Sequence, residues 1–421
     1  MEEGRIQPIM DLIEATLDAD ITAQELADQA GYSLWHFCRL FQLEVGMPLM
    51  RYRTRRRLAH ALWAISQGES VTGAALRYGF DTHAGFYKAF CREYGCSPTD
   101  YLKAHPAFMP WPLQLREEQY LMLTHENWKK ALAAWNLAEL PLSPVVCEPT
   151  GFVADNVIYA GEDWVLKAYL DPSRCARMVS LARALSAAGV AVSLPRPLPD
   201  GSDVLTFGAY RIVLWSRLMG APLDATRLMA GDAHAAGLRL GRTLRQLHGA
   251  LDTLPDPPDV RDCHLDEHIL TWAMPRAEKH LPAGFPADFA DHVRRLSGLR
   301  RGLIHRDPNP NNLIDLPDGR IGVIDFDLTE RNIRLFDLCY AATGMLQACL
   351  DRDIPWQTQW PLLLEGILDG YGATPEERKA APTVLMGIEV ICLAAFCDNS
   401  KYARLYEDNL RMLTWLCAWL A

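Results

Sequence analysis

IHRDPNPNNLIDLPDGRIGVIDFD, residues 304–327, decides how the second half of this chain folds. It places His305, Asp307 and Asn312 in one tight turn and ends the apolar run 321–324 with the acidic pair Asp325 and Asp327. Leu313-Ile314 and 321–324 read as two short strands joined through Pro317-Asp318-Gly319, residues that favour a tight reversal. The hairpin brings Asn312 and Asp325 together. The spacing suits phosphoryl transfer: Asp307 accepts the proton of an acceptor hydroxyl, while Asn312 and Asp325 hold Mg2+ against nucleotide phosphates.

The chain has 421 residues, more than one core usually organises, so two or three domains are expected. Hydrophobic residues at 49% and charged residues at 22% are ordinary for a globular protein. The 11 cysteines are scattered and none forms a Cys-x-x-Cys pair; reduced thiols in a cytoplasmic protein are expected. Residues 1–11 are polar and acidic, unlike a signal segment. No run approaches 18 apolar residues, so no membrane span is expected.

Charge is unevenly distributed. Between Ser33 and Arg92, nine basic residues face three acidic ones, a local excess of +6. The overall charge is −10, so the remainder carries −16. A basic block inside an acidic chain implies an anionic partner for that block. The acidic remainder leaves room for a pocket that takes a cationic acceptor, although solvation alone explains such a charge.

Residues 6–17 read as a helix. Thr22 and Glu25 then form a capping box at the start of a helix that ends near Ala30-Gly31. Tyr32-Ser33 turn the chain, and Leu34, Phe37, Leu40, Phe41 and Val45 recur at helical spacing toward a core. The same grammar returns about 47 residues later. A short helix starts at Val71, Gly79–Thr82 turn, and 83–94 is helical with Phe86, Phe90 and Tyr94 inward. A helix over 49–66 joins the two units and carries the arginines of 51–57.

Two helix-turn-helix units joined by one helix resemble the AraC/XylS DNA-binding domain. The resemblance rests on Glu25-Leu26-Ala27, Gly31-Tyr32-Ser33, Trp35-His36, Arg39-Leu40-Phe41, Gly46, Pro48, Tyr78-Gly79-Phe80, Phe86, Phe90, Gly95, Ser97-Pro98 and Tyr101. It implies that each second helix enters the major groove of double-stranded promoter DNA, one helical turn apart. It further implies base contacts from Trp35, His36, Cys38 and Arg39, and from His83, Ala84, Tyr87 and Lys88. Core packing is the competing reading for Trp35, and a solvated charge for Arg39. Within the 51–57 cluster, Arg51 and Arg55 are candidate phosphate contacts, which would make affinity salt-dependent without adding sequence preference. RNA polymerase is the protein partner that such a regulator implies.

Pro106, Pro110 and Pro112 interrupt any helix and mark a domain boundary. Residues 117–140 again read as helical. Strands are expected over 152–159 and 163–170, the second carrying Lys167; a helix over 174–188 and a strand over 210–218 follow. With residues 304–327, this order resembles the aminoglycoside phosphotransferase and choline kinase-like family. In that family the loop reads His-Gly-Asp, whereas residue 306 here is Arg. The resemblance implies that Lys167 contacts the phosphates of ATP and that Asp337 braces the loop holding His305 and Asp307. Gly220-Ala221-Pro222-Leu223 and 240–248 also match, with His248 a packed residue. Two positions depart from the pattern. Residues 172–199 contain no Asp or Glu to pair with Lys167, and Ser216 stands where a hinge Glu is usual. Asp262, Cys263, His264, Asp266 and His268 have metal-ligand residue types but read as a polar surface segment.

The expected architecture is multidomain. An all-α double helix-turn-helix domain over 1–105 and a linker over 106–126 precede an α+β bilobal protein-kinase-like domain over 127–421, its lobes meeting near residue 218. The expected function is an AraC-type regulator whose second domain binds nucleotide, a small-molecule effector, or both. The alternative is an active ATP-dependent phosphotransferase acting on a sugar, amino alcohol or aminoglycoside hydroxyl.

Overall fold

Thr22 shows how sequence becomes local structure near the amino-terminal end. Its hydroxyl accepts from the Glu25 N–H, and the Glu25 carboxylate accepts from the Thr22 N–H. Two donors that a helix end leaves over are thereby satisfied together. The computed structural model describes residues 6–19, 21–45, 47–104, 107, 109–110, 123–147, 152–254, 260–398 and 402–420. The helical region runs α1 (Ile6–Ala15), α2 (Ala23–Gln29), α3 (Leu34–Val45), α4 (Leu49–Ser66), α5 (Val71–Arg77), α6 (His83–Tyr94) and α7 (Pro98–Ala104).

It has two cores. Met10, Ile13, Leu26, Phe37, Phe41 and Tyr52 build the first. Leu58, Ala61, Ala74, Phe86, Phe90 and Tyr101 build the second. Helix α4 contributes to both, so one continuous helix ties the two helix-turn-helix units together. The buried stripe of α3 begins later than its periodicity suggests: Leu34 is 38% exposed and Leu40 half-buried. The first turn of a helix reaches past the surface against which the rest packs. The helix expected over 6–17 stops at Ala15 and continues as a turn.

Part of the helix expected over 117–140 lies outside the described residues. The part that is described is shorter than expected: α8 (His125–Ala133) ends where the chain turns through Asn136, whose φ is +59°. Helix α8 packs on a five-stranded sheet in the order β1-β2-β3-β5-β4. The strands are β1 (Leu142–Cys147), β2 (Phe152–Ala160), β3 (Trp164–Tyr169), β4 (Leu205–Phe207) and β5 (Tyr210–Ser216). Trp128, Leu132 and Trp135 meet Leu166, Ile212 and Leu214 in that core. The helical region, α8 and most of this sheet form one compact unit; α9 (Pro172–Ala187) belongs to a second, together with the chain from Trp215 onward.

The second unit carries short strands β6 (Ala221–Pro222), β7 (Arg301–Ile304), β8 (Leu313–Asp315), β9 (Ile321–Val323) and β10 (Glu330–Ile333). Its helices include α10 (Ala225–Ala230), α11 (Ala233–Asp252), α12 (Leu335–Gln347), α13 (Trp356–Tyr371), α14 (Pro375–Phe396) and α15 (Ala403–Leu420). Helices α11 and α13 meet backbone to backbone. A methyl on Gly237 or Gly241 would overlap the carbonyl oxygens of Leu363 and Ile367, and one on Gly366 or Gly370 would overlap those of His234 and Leu238. Both helices thus carry a Gly-x-x-x-Gly spacing, which puts the glycines on one face. Helix α14 contains no uninterrupted apolar run of that length, yet by length and composition it is apolar enough to cross a membrane, as buried core helices also are. It packs instead within this unit, with Val384, Leu385, Ile388 and Leu393 buried.

Gly241→Ala is expected to lower the unfolding free energy by about 1–3 kcal/mol through overpacking. Gly249→Ala, on the same helix with open space around it, is expected to be neutral or stabilising by up to about 1 kcal/mol. Urea melts of the two variants check this; equal midpoints would refute the close approach.

Candidate active site and nucleic-acid face

The hairpin β8–β9 pairs Leu313 with Val323, and the Ile324 N–H donates to the Asn312 carbonyl at 3.0 Å. This sets Asn312 directly across from the residue preceding Asp325. The side chain of Asn312 donates to Asp307 twice, to the backbone oxygen at 2.9 Å and to the carboxylate at 3.0 Å. Asn309 donates to the other Asp307 oxygen at 2.7 Å, and the Tyr340 hydroxyl is also hydrogen-bonded to this carboxylate. Asp307 is thus held by three side chains. Burial pushes its pKa up, the Asn309 bond and the His305 ring oppose that rise, and the Asp325 charge adds to it. The Asp307 charge, together with burial, keeps the Tyr340 hydroxyl protonated.

The loop around Asp307 is fixed from beneath. Asp337, fully buried in the first turn of α12, accepts from the His305 N–H, the Arg306 N–H and His248 Nε2 at 2.8, 2.8 and 2.9 Å. His305 Nε2 donates to the Ile324 carbonyl and Nδ1 accepts from the Asp307 N–H, so the ring is held as one tautomer. His248 completes the set by accepting from Tyr371, whose hydroxyl burial pushes to about 12. Arg306 sits at φ +76°, a left-handed conformation that glycine adopts without strain.

The donors at Asn312 and Asp325 fit a hard divalent cation such as Mg2+. Both amide contacts of Asn312 use its nitrogen, leaving Oδ1 as an oxygen ligand. Among the described residues no cluster of three His, Cys, Asp or Glu stands ready to hold a metal, so phosphates and water would complete the shell. Asp262 and His264 face Arg301, and His268 stacks on Trp272.

Lys167 lies on β3, paired across from Val157, with its ammonium 5.8 Å from the Tyr169 ring. The acid-free helix α9 presents Arg174 instead, which donates to the Asp327 backbone oxygen at 3.1 Å and lies 3.4 Å from its carboxylate. An arginine in the first turn of α9 was the available signal for this contact, and its charge is opposite to that of the acid sought there. Ser216 is engaged on both sides: its N–H donates to the Leu194 carbonyl, and its hydroxyl accepts from the Leu194 N–H. Asn309 and Tyr340 are the other side chains on the Asp307 carboxylate that sequence reasoning passed over. Asn309 sits inside the decisive stretch, two residues from Asp307; Tyr340 gave no local sign.

The nucleic-acid candidates divide into free surface and structural contacts. Trp35 is 70% exposed, with the Arg39 guanidinium 5.4 Å from its ring, so core packing does not claim it. His36 is exposed as well, and Cys38 is half-buried against the first core. On α6, His83, Ala84, Tyr87 and Lys88 are all exposed, with the His83 and Tyr87 rings stacked. The α4 arginines are largely spoken for. Arg53 donates to the Ala19 and Ile21 carbonyls and Arg57 to the Leu17 and Ala19 carbonyls, while Arg56 pairs with Glu14. Arg55 pairs with Glu93 at 3.0 Å, and Arg51 donates to the Thr124 hydroxyl at 2.9 Å.

Comparison with known proteins agrees with both halves. A helix-turn-helix domain family matches residues 26–104, and the phosphotransferase enzyme family matches residues 149–382. The HTH-type transcriptional activator AarP of Providencia stuartii is 36% identical over 97 residues, 23% of this chain and 72% of that protein. The uncharacterized HTH-type transcriptional regulator YbfP of Bacillus subtilis is 30% identical over 127 residues, 30% of this chain but only 42% of that protein. Amicoumacin kinase hAmiN, solved with AMP-PNP, Ca2+ and Ami, superposes with a TM-score of 0.54 at 15% identity, covering 73% of this chain and 96% of its own. That last likeness is one of fold.

Asp337→Ala strands three buried donors, at about 1–3 kcal/mol each, and is expected to reduce stability by about 3 kcal/mol or more in urea unfolding. A loss below about 1 kcal/mol would mean that the loop holds itself. Glu14 provides a pH test. Burial would raise its pKa, but bonds from His60 and Arg56 outweigh that and hold it below the ordinary 4.5. Its contribution is therefore present above that value and lost as pH falls through the lowered one. Between about pH 6 and about pH 3, thermal melts of Glu14→Gln are expected to shift less than those of the unaltered chain.

Proposed function

We propose that this chain, which belongs to the phosphotransferase enzyme family and carries an AraC-type helix-turn-helix domain ahead of it, is a DNA-binding transcription regulator whose phosphotransferase domain binds Mg-ATP and a small molecule and sets affinity for DNA. The observation that carries this reading is the packing of the helical region on the start of the next domain. Helix α6 rests on α8, and Arg51 of α4 donates to Thr124, the residue that caps α8. Thr124 is only 2% exposed. A change that moves α8 therefore moves a side chain on the helix that joins the two DNA-reading units. A coupling of about 1–3 kcal/mol is enough for a regulatory switch.

In this reading Trp35, His36 and Arg39 on α3 and His83, Tyr87 and Lys88 on α6 meet base edges, with Cys38 and Ala84 beside them. Arg51 and Arg55 are free for phosphates only when their present partners release them. Asn312 and Asp325 hold the metal, and Lys167 anchors the nucleotide. The site belongs in the cytoplasm with the promoter DNA and RNA polymerase that such a regulator serves.

One observation favours turnover as a second reading: Asp307, Asn309 and Asn312 form a complete hydrogen-bonded set around the carboxylate that would accept a hydroxyl proton. On that reading the chain is an ATP-dependent phosphotransferase of a sugar, amino alcohol or aminoglycoside.

Footprinting on the gene's own promoter tests the first reading. Arg39→Ala is expected to abolish the specific footprint. Mg-AMP-PNP is expected to shift operator affinity about fivefold or more, and Asp325→Ala to remove that shift. An affinity indifferent to nucleotide would refute the coupling. ATP consumption with an added acceptor, lost in Asp307→Ala, would move the conclusion to the second reading.

A further inference from the structure

Beside Asp307 the second unit holds a cavity of 560 Å³, the size of a small-molecule site. Its walls answer a question the overall charge left open. The acidic remainder of the chain left room for a cationic acceptor, yet among the described residues the lining contains no carboxylate and two guanidinium groups, Arg261 and Arg306. Around them stand Trp272, Phe336, Tyr340 and Phe396, with Ile388 and Ile391 of α14 completing an apolar wall.

The two arginines share one acid. Glu330, 3% exposed behind the wall, accepts from Arg306 at 2.8 Å and lies 3.9 Å from Arg261. Arg306 thus holds Glu330 directly, while Arg261 stands farther from it and 57% exposed. The ring of Trp272 is flanked by His268, stacked at 4.9 Å, and by the Arg276 guanidinium at 5.5 Å. These groups lie on a stretch that includes the π-helical turn Ile269–Ala273, a form that is rare in helices and recurs at functional sites. Burial, then the charges of Arg261 and Arg306, hold His268 below its ordinary pKa. The nearby carboxyl on α14, Glu389, is fully buried, and burial pushes its pKa well up.

We propose that this cavity takes a small amphipathic organic acid, its aromatic or aliphatic body against Trp272, Phe336 and Tyr340 and its anionic group on Arg261 and Arg306. The assignment rests on the reading of Asp307 as the centre of a ligand-binding phosphotransferase domain, and it names the class of that ligand. A polyamine or aminoglycoside would bring positive charge against two arginines with no carboxylate among the described lining residues to meet it. An anion replaces the water that a half-paired guanidinium otherwise keeps. An organic acid with a hydroxyl would suit the cavity whether it is sensed or phosphorylated, since Tyr340 joins the cavity wall to Asp307.

Calorimetric titration of the full chain with a matched pair tests this. 3-Phenyllactate carries an aromatic ring, a hydroxyl and a carboxylate; phenylalaninol carries the same ring and a hydroxyl with an ammonium. The expected result is that phenyllactate binds at least about tenfold more tightly. Arg261→Gln, at an exposed position, is expected to lose about that factor for phenyllactate alone while its thermal melt stays that of the unaltered chain, and Trp272→Leu to weaken both ligands. Equal binding, tighter binding of phenylalaninol, or heat from neither overturns the proposal. Mg-AMP-PNP is titrated separately. Nucleotide binding without phenyllactate binding sinks this inference and leaves the function proposed above. Phenyllactate binding without nucleotide binding does the reverse.

Discussion

The carboxylate of Asp337 is the constraint on which the second unit depends. It is fully buried, and it accepts from two consecutive backbone N–H groups and one imidazole. A buried carboxylate without donors is costly; with three donors it becomes a fixed post. The His305–Asp307 turn hangs on that post. Arg306 is held at a positive φ because its N–H is one of the three donors. The same bend sends its side chain along the Phe336 ring to Glu330 and into the cavity wall. One carboxylate therefore sets both the base candidate and the charge of the neighbouring cavity.

The helical region uses arginine in the same structural sense. Three guanidinium groups of α4 cap carbonyls at the end of α1 and its following turn or pair with Glu14. A cationic run on a helix reads from sequence as a phosphate-binding face, but carbonyls freed at a helix end are equally good acceptors for it. The exposed groups are those of α3 and α6, where aromatic rings and cations stand out into solvent with no core to cover them. Trp35 and Tyr87 are among the large hydrophobic side chains left most open to solvent.

The cavity teaches that net charge is not local charge. An excess of acids spread over a surface says nothing about which side chains a fold turns inward. Arg261 and Arg306 are 45 residues apart in a chain that is acidic overall, and both face Glu330.

Much was legible in the sequence because its signals are local. Turn residues, capping boxes and helical periodicity act within a few positions, so the double helix-turn-helix, the hairpin of 313–324 and the order of the kinase-like elements could be read from residues alone. The same holds for Asp307, Asn312 and Asp325, which a tight turn and a two-strand hairpin must bring together. Tertiary structure decided what depends on residues far apart. The Gly faces of α11 and α13 meet only when two helices more than a hundred residues apart cross. Tyr340 reaches Asp307 from the next helix, Arg174 turns to Asp327 from 153 residues away, and Arg51 meets Thr124 across the domain junction. Sequence spacing constrains a residue's neighbours on its own element; which foreign side chain completes a charge or fills a cavity is set only when the elements pack.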